Sequence, residues 1–150
     1  ALRRVLDVRL RQSLRDERGD VYGVGIGQQF NLHPVETLIW NLKFSCDPQK
    51  IDELSKLALD HLANIAESTS TADELENVKR QMLKDYEVKL RENRMWVSHL
   101  TKLHQRGEDP RIILDRPQII DRLSPEALSM VAEKYINLNH RLEMKLLPQK

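Results

Sequence analysis

Leu14-Arg15-Asp16-Glu17-Arg18-Gly19-Asp20-Val21-Tyr22-Gly23-Val24 is the stretch on which the fold turns, because the hydrophobic period changes inside it. Upstream, Leu2, Val5, Leu6, Leu10 and Leu14 recur at three- and four-residue steps, which predicts a helix over residues 2–17. Gly19 supplies a C-terminal stop, since glycine takes a positive φ at little cost. Downstream the period falls to two, which predicts a strand over residues 21–30. In regular alternation Tyr22, Val24 and Ile26 share one face of that strand, and Val21, Gly23, Gly25 and Gly27 share the other. Three of the chain's 5 glycines then lie on one side of one strand, a pattern that suits close approach of another backbone.

Working outward, residues 31–35 turn the chain and residues 36–46 form a second strand, with Leu38, Trp40, Leu42 and Phe44 on one face. So short a connection favours antiparallel pairing. Asp47-Pro48 opens a helix, aspartate as N-cap and proline in the first turn. Its stripe is Ile51, Leu54, Leu57, Ala58, Leu62 and Ile65. After the linker Ser68-Thr69-Ser70, Thr71 and Glu74 form a capping box for a long helix that breaks at Asn93 and resumes to Gly107. Asp109-Pro110 is a turn, residues 117–122 a short helix, and Ser124-Pro125-Glu126 the start of another ending near Tyr135. Leu142, Met144 and Leu146 alternate, so Arg141–Leu147 is expected to return as a last strand. Strands first, then helices, then one strand predict an α+β fold: an antiparallel sheet of about three strands, covered on one side by helices, in a single domain over residues 1–150.

Composition excludes several classes. Hydrophobic residues are 40% of the 150, enough for a core, while aromatics are 5%, so that core is mainly aliphatic. A formal net charge of +1 provides no excess of cations to displace counterions from a nucleic acid. No apolar run approaches the roughly 20 residues of a membrane span. The lone cysteine, Cys46, has no disulfide partner in the chain.

The chemistry-bearing patterns are few. His33-Pro34-Val35-Glu36 begins like the inverted zinc motif H-x-x-E-H, but Thr37 stands where its second histidine belongs. His99 and His104 are five apart and splay around a helix, and His61 and His140 have no histidine neighbour. The chain therefore reads as having no metal site and no cofactor of its own. Gly23-Val24-Gly25-Ile26-Gly27 has neither the spacing nor the following helix of a dinucleotide fingerprint. Cys46 has no histidine placed to activate it. Arg15 and Tyr22 flank the helix-to-strand turn, and each has an ordinary structural reading. Arginine complements the negative end of a helix, and tyrosine is a good strand residue.

At these positions the sequence resembles the pitrilysin/insulinase family of zinc peptidases, which includes bacterial PQQ-linked protease-like members and mitochondrial processing peptidases. Family C-terminal halves carry R-L-x-x-x-L-R-E-x-x-G-x-x-Y-x-V. Arg9-Leu10, Leu14-Arg15-Asp16, Gly19, Tyr22 and Val24 match it in order, with Asp16 replacing the commoner glutamate. Phe44–Pro48, Thr71–Lys79 and Leu123–Tyr135 resemble later family segments.

The resemblance implies a C-terminal half-domain of a two-half clamshell, shortened at its N-terminus because Ala1 begins inside the first helix. It implies zinc, with its base, in a separate N-terminal half that is this domain's partner. It implies Arg15 as a peptide-binding residue, and Tyr22 as both substrate-binding and catalytic through stabilisation of the oxyanion. A shortened sheet implies an open edge and self-association. The bacterial periplasm is the compartment expected from the resemblance. The competing expectations are a catalytically inactive scaffold or peptide-binding homologue of the same family, and an unrelated α+β interaction domain.

Overall fold

The structure is a computed structural model that describes residues 1–16, 21–32, 34–67 and 72–148, with the side chains of 15, 16 and 65–67 outside the description. The chain divides into two compact units, Leu2–Ser70 with Glu126–Lys150, and Thr71–Pro125.

The first unit opens with α1 (Leu2–Arg11), which passes directly into a π-helical turn (Gln12–Asp16). Leu2, Val5, Leu6, Leu10 and Leu14 are all buried, so the apolar stripe read from the sequence is the packed face. The expected Gly19 stop lies outside the described residues. β1 (Val21–Asn31) and β2 (Thr37–Cys46) form a two-stranded antiparallel sheet with Ile26 opposite Leu42 and Gln28 opposite Trp40. α1 lies against β1. The Arg3 guanidinium donates to the Ile26 carbonyl (3.3 Å), and the Ile26 amide donates to Asp7 Oδ1 (3.4 Å). In an antiparallel ladder alternate residues of an outer strand turn their polar backbone groups away from the partner strand. At Ile26 those groups are met by helix side chains, so α1 occupies part of the edge that the sequence left open.

One strand face is regular and the other is offset at its start. Val24, Ile26, Leu38, Trp40, Leu42 and Phe44 share the covered face, while Gly23, Gly25 and Gly27 share the opposite one, as the alternation predicts. The register slips between Val21 and Gly23, and Tyr22 is the extra residue. This corrects the expected grouping. Val21 sits opposite Cys46 and is 4% exposed, whereas Tyr22 is displaced from the Val24–Ile26 set and is 80% exposed. A bulge reverses the alternation on one side of itself, which is why period-two counting failed at these two residues.

Asp47 accepts from the Gln49 amide (2.8 Å) and starts a short 3-10 turn leading into α2 (Ile51–Glu67). Leu54 and Ala58 are its fully buried positions, and α2 packs on α1. α6 (Pro125–Tyr135) buries Leu128 and Ala132. The C-terminal segment departs from expectation. Residues 141–148 are irregular, and Leu142, Met144 and Leu146 are 83%, 85% and 97% exposed. Among the described residues the sheet thus has two strands rather than three. Lys145 pairs with Asp52 and Glu143, and these carboxylates raise its pKa.

The second unit is helical: α3 (Ala72–Lys89), α4 (Asn93–Arg106), a 3-10 turn (Pro110–Ile113) and α5 (Arg116–Asp121). Leu75, Val78, Met95, Leu103, Ile113 and Ile120 are its buried residues. Leu100 on α4 is 42% exposed, because Met95 and Leu103 turn a different side inward. Tyr86 donates to the Ile113 carbonyl (3.1 Å) and Trp96 to the Leu90 carbonyl (2.8 Å), so both aromatic donors are satisfied. Gly107 closes α4 in the left-handed region. The expected Thr71 cap lies outside the described residues.

Candidate functional site

The candidate residues Arg15 and Tyr22 flank the connection between α1 and β1, of which residues 17–20 lie outside the described residues. Arg15 belongs to the π turn; its backbone is described and its side chain is not. The turn is held from within by Leu14, which is 0% exposed. It is held from outside by Ser13, whose Oγ lies 2.6 Å from His61 Nε2 on α2. Tyr22 stands on the other side, carried by the bulge and presented to solvent between the buried Val21 and the open Gly23. The half-buried Cys46 sits opposite Val21 across the ladder.

Ser13 and His61 were not singled out by sequence reasoning. A signal existed: His61 follows Leu54 and Ala58 by one further turn, so a polar residue continues an apolar stripe. Its partner, however, is 48 positions away and only packing brings them together. Of the other histidines, His99 Nδ1 bonds the Met95 carbonyl one turn back (3.0 Å), His104 and His140 are exposed, and His33 lies outside the described residues.

Among the described residues no group of three or more His, Cys, Asp or Glu side chains could hold a metal ion. No metal chemistry is assigned to the described residues. Resolved electrostatic shifts lie away from the junction. Asp109 is held below its ordinary value by the Arg111 guanidinium and amide, and Arg111 is raised in turn. No helix among the described residues is long and apolar enough to cross a membrane.

A helix ending in a π turn, followed in the chain by a bulged antiparallel hairpin, is the fold on which the candidate residues sit. Residues 2–82 match the family described as Peptidase M16 inactive domain, and the chain belongs to that family. It is the pitrilysin/insulinase group that the motif from Arg9 to Val24 resembles. None of the curated proteins matches.

Similar solved structures carry the same fold. The periplasmic protease PqqL from Escherichia coli aligns with a TM-score of 0.76 at 18% identity, covering 93% of this chain and 15% of that one. A peptidase M16 inactive domain from Pseudomonas fluorescens aligns at 0.73 and 19%, covering 86% and 30%. The ferredoxin protease FusC, solved as a mutant with Arabidopsis ferredoxin, aligns at 0.74 and 18%, covering 91% and 15%. The chain thus spans about a sixth to a third of the structures it matches.

Proposed function

We propose that this chain is the C-terminal, substrate-contacting half-domain of a zinc-dependent endopeptidase, with residues 1–150 acting as one functional part of a two-half clamshell. The observation that carries the reading is Tyr22. A tyrosine left 80% exposed by a bulge next to a buried Val21 gains nothing from the packing of its own strand. Bulges commonly re-aim a side chain beside a working site. Its O–H donates to the oxygen that becomes negative as a peptide carbonyl turns tetrahedral. Arg15 binds a substrate carbonyl or carboxylate, where a guanidinium can make two charge-assisted bonds. In this reading zinc and the base belong to a separate N-terminal half, as the resemblance of the Arg9–Val24 motif to the family implies. There the metal would activate the water that attacks the peptide.

The open glycine face lies beside Tyr22 and suits an extended peptide or a neighbouring element at close range. The compartment proposed is the bacterial periplasm, in line with the location of PqqL. FusC with ferredoxin is a precedent for a protein substrate. Self-association of the chain through the uncovered part of its sheet edge is part of the same proposal, and sedimentation over a wide concentration range tests it.

The deciding experiment is Tyr22→Phe in the zinc-loaded full-length protein, assayed on an internally quenched peptide with a chelator control. Loss of an oxyanion donor lowers kcat by about 10²–10³-fold while KM stays near its original value. Arg15→Gln raises KM by about ten- to a hundredfold, as expected for a hydrogen bond to a charged group. A full-length protein that binds peptide but never turns it over would instead support the scaffold or peptide-binding homologue.

A further inference from the structure

We propose that His61 and Ser13 are positioning residues: their hydrogen bond holds the π-helical turn that carries Arg15 and thereby sets the affinity of the substrate subsite that Arg15 forms. The inference rests on the reading of Arg15 given above and adds two residues to it.

The turn itself is the first observation. Gln12–Asp16 continues α1 without a break but in π geometry. Such turns are uncommon in isolation and concentrate at functional sites, because the wider ring packs its own backbone less well than an α turn. One that persists has contacts outside the helix selecting it. Here there are two. Leu14 is 0% exposed and anchors the turn in the core. A buried leucine resists leaving the core, but its contacts are not directional and tolerate sliding or rotation.

The second contact supplies direction. Ser13 Oγ and His61 Nε2 are 2.6 Å apart in a partly buried setting. A hydrogen bond at that distance fixes both separation and angle. His61 sits on the face of α2 that buries Leu54 and Ala58, so it is carried by a helix already packed on α1 and on the π turn. An apolar residue at position 61 would serve burial equally well. The polar pair adds a preferred rotation of the turn, two residues before Arg15. Reversion of the π turn to α geometry would rotate the residues along and beyond it around the helix axis, by up to about 100°, the angle of one residue, at its end. The backbone position from which Arg15 is presented would then shift.

The test uses the zinc-loaded full-length protein and an internally quenched peptide. His61→Ala raises KM about three- to tenfold, the size of one neutral hydrogen bond, and leaves kcat within about twofold. His61→Gln, whose amide reaches the Nε2 position, restores KM; His61→Asn, which is too short, does not. In an Arg15→Gln background His61→Ala adds nothing further, because the residue it positions is gone. Faster hydrogen exchange at residues 13–16 in His61→Ala reports the loosened turn directly.

Equal KM increases in both backgrounds would overturn the proposal, since a general loss of packing acts whether or not Arg15 is present. If Arg15→Gln raises KM and His61→Ala does not, the proposal fails while the reading of Arg15 stands. If Arg15→Gln leaves KM unchanged, the reading of Arg15 fails and the proposal falls with it.

Discussion

At Gly107 the backbone is left-handed, with φ +67°, and its amide closes α4 onto the carbonyls of Leu103 and His104. At Gly25 the backbone is extended strand, and a Cβ added there would meet nothing within 4 Å. Gly23 is equally open, and at Gly27 the nearest atoms belong to Asn41 at 3.8 Å, an ordinary contact distance. The helical unit needs its glycine because any side chain at that φ is strained. The hairpin does not need its glycines for anything inside the described residues. Glycine weakens a strand, so a row of them with no use among the described residues invites a test of what the open face receives.

The contrast can be broken at each end. Gly107→Ala should destabilise the helical unit by about 1–2 kcal/mol, read as a lower midpoint in urea unfolding. An unchanged midpoint would mean that the cap is not set by backbone conformation.

Gly25→Val should move the other way. It stabilises the hairpin unit by roughly 0.4–1 kcal/mol, because the unfolded chain loses freedom while the folded strand has room. In the full-length protein the same variant should lower peptide turnover if the open face receives a close neighbour. Unchanged stability together with unchanged turnover would remove the reason for treating the glycine face as functional.

The smallest effect concerns charge just beyond Gly107. Asp109 caps the next 3-10 turn through the Arg111 amide and is bonded in two-pronged fashion by the Arg111 guanidinium. Its folded pKa lies below the model-compound value of 3.8. The contribution is therefore present above that value and lost as pH falls through the folded pKa. Arg111→Ala should bring the Asp109 titration midpoint upward, measured by carboxyl NMR. Both groups are exposed, so the change in stability itself should be slight.

Much of the fold was legible from local chemistry. The stripe Leu2–Leu14 names the buried face of α1, Asp47-Pro48 names the start of the next helical segment, and Gly107 names the end of α4, because each signal acts within a turn or two of itself. Three features were not legible. The bulge at Tyr22 depends on how β1 registers against β2, and a count along one strand holds no information about its partner. The alternation of Leu142, Met144 and Leu146 is real, but a strand exists only with a ladder to join, and residues 141–148 are irregular. The Ser13–His61 bond joins residues 48 apart, so neither residue announces the other.

For the candidate site the division is the same. The motif from Arg9 to Val24 resembles that of the family, and through that resemblance it marks Arg15 and Tyr22 as candidates. The aspect Tyr22 presents to solvent, the π geometry beneath Arg15 and the histidine that clasps it are decided by tertiary structure. Register, helix packing and directional hydrogen bonds come into being only when distant segments meet. By itself the sequence determined the helices, the hairpin and the family to which they belong. The tertiary structure decided how the π turn of Arg15 and the bulge of Tyr22 are built, because these depend on contacts between elements rather than within them.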